Sequence, residues 1–400
     1  MPALRPSLAA LALLAALIAT AGCGKGISGN AEGDTPAIGK KGDQDQAAKS
    51  LGFPGFATKN TTRIGGADPT ADAAGAAQAV FTAQSAATRP RAVALVDKDN
   101  WQAGIAASVL MASPLRAPTL LTDGGDVPGA TRDALKQLDP RGVRAASGAQ
   151  VVSIAGAAKP DGYEVFSLDS PDDPAAQAAA IDQFQSSLAG RPSDRVIVAS
   201  SAAPAFAMPA AGWAAKAGDP ILYVTKSGIP AATQRALRRH QQPKIYVLGP
   251  STVVPDTVLA ALRKFGAVKR ISGPDPVSNA IAFARFLDGG FGWGVVDPGH
   301  GLVFANAGRP LDATAGAPLS SSGTYGPILL LQDAAELPKA LEQYLLDIQP
   351  GYDKDPVRGV YNHGWLIGDD KAISIPVQAR IDSLLDIVPV DTAAPGQTQQ

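Results

Sequence analysis

A threefold internal registry constrains this chain more than any other feature of its sequence. An Asp-Pro pair stands ahead of an Ala-rich stretch at Asp68-Pro69, Asp173-Pro174 and Asp275-Pro276, at intervals of 105 and 102 residues. The stretches that follow, residues 70–85, 175–188 and 277–287, carry the small apolar residues of a packed helix. An aspartate at the N-cap accepts the free N–H groups of the first helical turn, and proline fits the first helical position because its missing N–H is not needed there. Each pair therefore predicts a helix start, and capping accounts for the three aspartates without a catalytic role.

The registry continues through the rest of each copy. A short β-branched or apolar strand follows at residues 92–96, 195–199 and 302–305, and a proline opens a second strand 22, 21 and 22 residues after the first one ends, at Pro118, Pro220 and Pro327. A further proline, at Pro128, Pro230 and Pro338, begins another helical run. A third strand ends at Gly156, Gly249 and Gly368. Helix and strand alternate throughout, which predicts an α/β fold with mainly parallel sheets covered by helices. The units run over residues 60–162, 163–266 and 267–388. A helix follows the third strand in the second copy (255–265) and the third (376–387); the first copy has only residues 157–162 there and has lost it.

The amino terminus is of a different kind. Arg5 precedes an apolar run from Leu8 to Ile18, too short to span a bilayer, and Thr20-Ala21-Gly22 leads to Cys23, the one cysteine of the chain. The end of this signal (1–22) resembles a lipobox, with Thr20 in place of the usual leucine, so Cys23 is expected to become the lipidated first residue of a membrane-anchored, extracytoplasmic lipoprotein. Without a second cysteine no intramolecular disulfide can form. Residues 23–59, rich in Gly, Lys, Asp and Gln, read as a flexible tether, and residues 389–400 as a disordered tail.

The repeated motifs resemble the cell wall binding type 2 repeat family over roughly residues 60–388. Arg63-Ile64-Gly65-Gly66-Ala67-Asp68 and Arg270-Ile271-Ser272-Gly273-Pro274-Asp275 match the family's opening motif; the second copy has Val165-Phe166-Ser167-Leu168 in that place, without the arginine. Pro327-Ile328-Leu329-Leu330 matches its Pro-Ile-Leu-Leu strand, with close forms at residues 118–121 and 220–223. Pro310-Leu311-Asp312-Ala313 keeps part of a further segment; Asn100-Trp101-Gln102-Ala103 keeps less of it. The family's arginine after the Asp is proline in all three copies. The resemblance implies three Toprim-like (Rossmann-like) units packed about a pseudo-threefold axis, and non-covalent attachment to an anionic polymer or glycan of the cell wall. It also places the ligand near Leu120, Leu121, Leu222, Tyr223, Leu329 and Leu330, with Arg63 and Arg270 as the cations. The altered motif positions leave a second reading open: an envelope scaffold that binds a protein partner, its wall-binding face decayed.

Catalytic constellations are not apparent. His240, His300 and His363 stand at unlike places in the repeat, and neither a Gly-x-Ser-x-Gly elbow nor a phosphate loop occurs. No cofactor or metal is expected: Asp97-Lys98-Asp99 reads as a solvated loop, since the other copies have Ser200-Ser201 and Asn306-Ala307 there. Lys and Arg number 35 against 36 Asp and Glu, so no basic excess points to nucleic acid. Trp101, Trp213 and Trp365 read as core, and the glycine-rich residues 290–294 as a mobile connection. The expectation is a non-catalytic binding protein.

Overall fold

The computed structural model describes residues 55–390; Cys23, the signal and most of the tether lie outside them. The chain begins with β1 (Gly55–Ala57), β2 (Thr61–Ile64), α1 (Pro69–Val80), β3 (Val93–Asp97), α2 (Trp101–Ala107), β4 (Thr119–Thr122), α3 (Gly129–Leu138) and β5 (Val151–Ile154). It continues with β6 (Val165–Leu168), α4 (Pro174–Ala189), β7 (Arg195–Ser200), α5 (Pro204–Ala217), β8 (Ile221–Val224), α6 (Ala231–Arg239), β9 (Lys244–Leu248), α7 (Asp256–Leu262) and β10 (Ala267–Ile271). The remainder is α8 (Pro276–Arg285), β11 (Gly301–Asn306), α9 (Leu311–Ser320), β12 (Ile328–Leu331), α10 (Lys339–Asp347), β13 (Gly351–Tyr352), β14 (His363–Ile367), α11 (Ile375–Leu384) and β15 (Val388–Pro389).

The Asp-Pro pairs do what their chemistry predicts. The Asp68 side chain accepts from the N–H groups of Thr70 and Ala71, Asp173 from that of Ala176, and Asp275 from that of Ser278. In each case proline holds the first helical position. No helix separates β5 from β6, where the first copy was expected to lack one.

Three sheets carry the fold, in the orders β4-β3-β5-β6, β8-β7-β9-β10 and β12-β11-β14-β2-β1. Their pairings are parallel except for β1 against β2. Each sheet borrows a strand from the segment just ahead of an Asp-Pro helix. β6 joins the strands of the first copy and β10 those of the second. The third sheet takes β2 from the start of the described chain, Gly364 to Ile367 lying beside Thr61 to Ile64. The ladder of the last third is thus completed by the first. β1, which falls in the stretch read as tether, adds an antiparallel edge to it. At the other end, the N–H of Val390 still donates to the carbonyl of Tyr352 at 2.8 Å, inside the stretch read as tail.

Helix packing crosses the same boundaries. α4 packs on α2, α8 on α5, and α1 on α9, while α2, α5 and α9 pack on one another. Their small residues make this approach possible. A Cβ on Gly104 would sit 2.7 Å from Cδ2 of Leu311, and one on Gly212 would sit 2.8 Å from Oγ of Ser320. Close packing of this kind punishes added volume.

One expectation is corrected. Residues 290–294 are anchored by aromatic packing. Phe291 is fully buried and stacks on Tyr246 at 3.5 Å between ring centres, and Trp293 meets Trp213 edge-on at 5.3 Å. The buried Phe291 ring and the partly buried Trp293 ring offset the freedom of the surrounding glycines, which the glycine count alone conceals. Trp213 is core, as expected; Trp101 and Trp365 pack against the core while partly exposed. Among the described residues, no helix is long and apolar enough to cross a membrane.

Candidate functional site

Both motif arginines are hydrogen-bonded within the protein, Arg63 buried and Arg270 half-buried. Arg63 projects from β2 into the turn between β14 and α11. It donates to the carbonyls of Gly368 (2.9 Å), Asp369 (2.5 Å) and Ile373 (2.6 Å) and to Oε1 of Gln378 (3.0 Å). Arg270, on β10, repeats the pattern in the turn between β9 and α7, donating to the carbonyls of Gly249 (2.6 Å) and Val254 (2.8 Å) and to Asp256 (2.9 Å). Gly368 and Gly249 are the strand-ending glycines, and Ile373 and Val254 each lie five residues further on. The arginine therefore staples a borrowed strand to the start of the helix that follows the third strand. This explains its distribution. The first copy has no such helix, and the strand it borrows, β6, has no arginine. Burial pulls the Arg63 guanidinium down to about 10, against the pull of Asp370, Asp369 and Asp72.

The Pro-Ile-Leu-Leu strands are equally internal. Leu120, Leu121, Leu222, Tyr223, Leu329 and Leu330 each have 0 % exposure. Tyr223 reaches out of its own unit. Its hydroxyl donates to the carbonyl of Gln102 at 2.8 Å, and its ring meets Trp101 edge-on at 6.0 Å, so β8 is keyed to α2 of the preceding sheet. Burial raises the Tyr223 phenol far above its ordinary value.

A polar cluster that the sequence reading missed lies where α1 meets α9. Asp72 and Asp312 are both fully buried, and the Arg309 guanidinium pairs with both, Nε lying 2.8 Å from Asp312. The backbone N–H of Gly66 also donates to Asp72 at 2.7 Å. Two carboxylates against one guanidinium leave a buried net charge of minus one, which low-dielectric surroundings do not tolerate. Burial holds both carboxyls above the usual range despite Arg309, so the cluster keeps a proton that free carboxylates would have lost. Asp72 stands four residues after the capping Asp68, on the buried face of an Ala-rich helix; that spacing was the available signal. Gln177 and Asn279 hold the corresponding places after Asp173 and Asp275. Neither brings a charge.

A second buried ion pair ties α4 to the end of α6. His240 directs one ring nitrogen to the Ser193 carbonyl (2.7 Å) and the other to Asp182 (3.0 Å). Burial alone would depress this imidazole, but the Asp182 carboxylate outweighs it and raises the affinity for the proton. Elsewhere, Asp97 caps its own loop by accepting from the N–H groups of Asp99 and Gly124, and Lys98 pairs with Asp123 at 2.7 Å. Among the described residues, no group of three His, Cys, Asp or Glu is placed to hold a metal ion.

Set beside known proteins, residues 172–259 match the family Cell wall binding domain 2 (CWB2). That span runs from just ahead of α4 into α7. Two solved structures share the fold: Cwp8 from Clostridium difficile, at 17% identity and a TM-score of 0.62, covering 86% of this chain and 54% of that one, and Cwp6 from Clostridium difficile, at 18% identity and a TM-score of 0.64, covering 81% and 48%. The chain thus spans about half the length of the structures it matches. No curated protein matches it.

Proposed function

We propose that this chain is a non-catalytic lipoprotein of the cell envelope that binds an anionic polymer or glycan of the cell wall. The observation that carries this reading is the match of residues 172–259 to a cell wall binding domain. The recurrence of the same helix, strand and capping pattern before and after that span extends it to three tandem Toprim-like units, residues 60–162, 163–266 and 267–388, about a pseudo-threefold axis. Three units suit a polymer, because a repeating ligand can engage several sites at once and gain avidity without new contacts. The polymer-facing surface is proposed to lie beyond the carboxyl ends of the parallel strands, where α/β sheets tend to receive ligands. There the buried Arg63, Leu120, Leu121, Leu222, Tyr223, Leu329 and Leu330 and the half-buried Arg270 act by positioning the turns above them.

The test is retention of the purified mature protein on cell-wall fractions, before and after removal of secondary polymers. Retention on intact wall that disappears with the polymer is the expected result. Equal retention on both fractions would reject the polymer. Failure to bind either would favour the second reading, a scaffold that holds an envelope protein. That reading draws support from the internal hydrogen bonding of Arg63 and Arg270.

Membrane attachment is proposed to run through lipid on Cys23, on the extracytoplasmic face. Two or more acyl chains hold a membrane stably where one does not. Cys23→Ser is expected to move the protein from the membrane to the soluble fraction. If the variant still sediments with membranes and the wild type carries no lipid, the anchor lies elsewhere.

A further inference from the structure

The second unit carries an open groove. It lies between α6 and the end of α7, has a volume of about 630 Å³, and is lined by Gln234, Arg238, Gln241, Gln242, Lys264 and Phe265 among others. No carboxylate lines it. Arg238 and Lys264 are both exposed, and neither makes an ion pair among the described residues. For a chain with a net charge of −1, this is a local concentration of unneutralised positive charge.

Arg238 is held ready. Its guanidinium carbon stands 5.4 Å from the centre of the Phe265 ring, and one nitrogen donates to Oε1 of Gln234 at 3.4 Å. A guanidinium supported on an aromatic face loses less freedom when it binds, and its planar fork fits a carboxylate or phosphate. The exposed amides of Gln241 and Gln242 flank it with donors and acceptors of the kind that sugar hydroxyls require.

The other units show how the same place is closed. Gln234 stands four residues after Pro230, as Glu342 does after Pro338; Ala261 stands twelve residues after Gly249, as Arg380 does after Gly368. In the third unit these positions are joined across α10 and α11, where Nε of Arg380 lies 2.9 Å from Oε1 of Glu342. In the first unit no helix follows β5, so no second wall exists. Among the described residues, no ion pair bridges the two helices of the second unit, and cations stand exposed between them.

We infer that the groove between α6 and α7 binds an anionic sugar of an acidic glycan, its carboxylate or phosphate gripped by Arg238 and Lys264 and its hydroxyls by the flanking glutamines. The inference rests on the wall-binding reading for the class of ligand, and it moves the contact from the strand ends to a helix pair of one unit.

The test is calorimetric titration of the mature protein at low salt with three probes: oligogalacturonate for a carboxylated sugar, polyglycerol phosphate for a phosphate source, and maltoheptaose as a neutral control. Binding to one or both charged probes and not to the neutral one is expected. Arg238→Ala should weaken it by about tenfold, since charge-assisted forks are the stronger hydrogen bonds. Arg238→Lys should recover only part of the loss, and Arg238→Ala/Lys264→Ala should abolish binding with unchanged thermal stability. Added salt should weaken wild-type binding in step, as exposed charges are screened. Absence of binding to both charged probes, equal binding of the neutral one, or full affinity in the double variant would each overturn the inference. Wall retention measured in parallel separates the two readings. Retention that fails while the double variant still abolishes oligomer binding defeats the wall reading alone. Retention that persists undiminished in the double variant defeats the groove alone.

Discussion

Arg309→Ala is expected to destabilise the protein by about 3–5 kcal/mol near neutral pH, because it leaves two buried carboxyls without their counter-charge. Asp72 and Asp312 are fully buried at the contact between the first and last thirds of the described chain, and Arg309 is the cation paired with both. The loss should shrink in acid, where protonation neutralises the orphaned carboxylates. The wild type should show the same chemistry in weaker form. Burial raises the two carboxyls to about 7 and about 8, above an unfolded value near 4. A raised folded value means that the folded state holds the extra proton. The stabilisation is therefore complete below about pH 4 and declines as pH climbs through neutrality towards 8. His240 titrates with the same sign, so the comparison that isolates the cluster is wild type against Asp312→Asn. The variant should show the shallower decline. Denaturant unfolding across this pH range measures both effects. A loss under ~1 kcal/mol in Arg309→Ala, with no pH dependence, would show that the cluster does not carry charge as described.

Arg63→Ala should cost about 3 kcal/mol or more, since it strips donors from two buried carbonyls, a part-buried one and a buried amide oxygen at once. Arg270→Ala should cost less, about 1–2 kcal/mol, because one of its three partners is the exposed Asp256. Unfolding curves give the ranking, and wall retention gives the discrimination. Residues that position a turn should lose retention only as the fold loosens. If Arg63→Ala keeps full stability and still loses the wall, the side chain is a ligand contact and the staple assignment fails.

Much of this architecture was legible in the sequence because its determinants are local. Asp-Pro fixes a cap and a first turn within four residues, and a proline-opened apolar run fixes a buried strand. The helices that begin at Pro69, Pro174 and Pro276 could be placed from those signals alone. The loss of a helix after β5 was equally visible. Strand exchange was not. Val165–Leu168 reads as the opening of its own repeat, yet it pairs with β5 of the previous one; a four-residue strand carries no mark of its partner. The site suffered more. Arg63 and Arg270 looked like exposed cations because exposure is the usual state of arginine. Only the turns they enter, about 300 and 20 residues away along the chain for Gly368 and Gly249, reveal that their donors are already taken. Asp72 and Arg309 lie 237 residues apart, beyond any spacing rule. The groove was silent for a different reason: it is defined by an ion pair that another unit has and this one lacks.

The insertion of β2 into the last sheet also dictates an order of events. Arg63 and Gly368 are separated by 305 residues, so the ladder between them can form only after everything between has collapsed enough to bring its ends together. Loop-closure entropy makes such a pairing late, and contact order makes it slow. β2, among the earliest strands of the described chain to leave the ribosome, is then the last to find its place, and β14 waits with one edge open meanwhile. Unpaired edges of this sort recruit foreign strands. The hazard in assembling this protein is thus concentrated in one interval, after the rest of the core has packed and before the loop has closed.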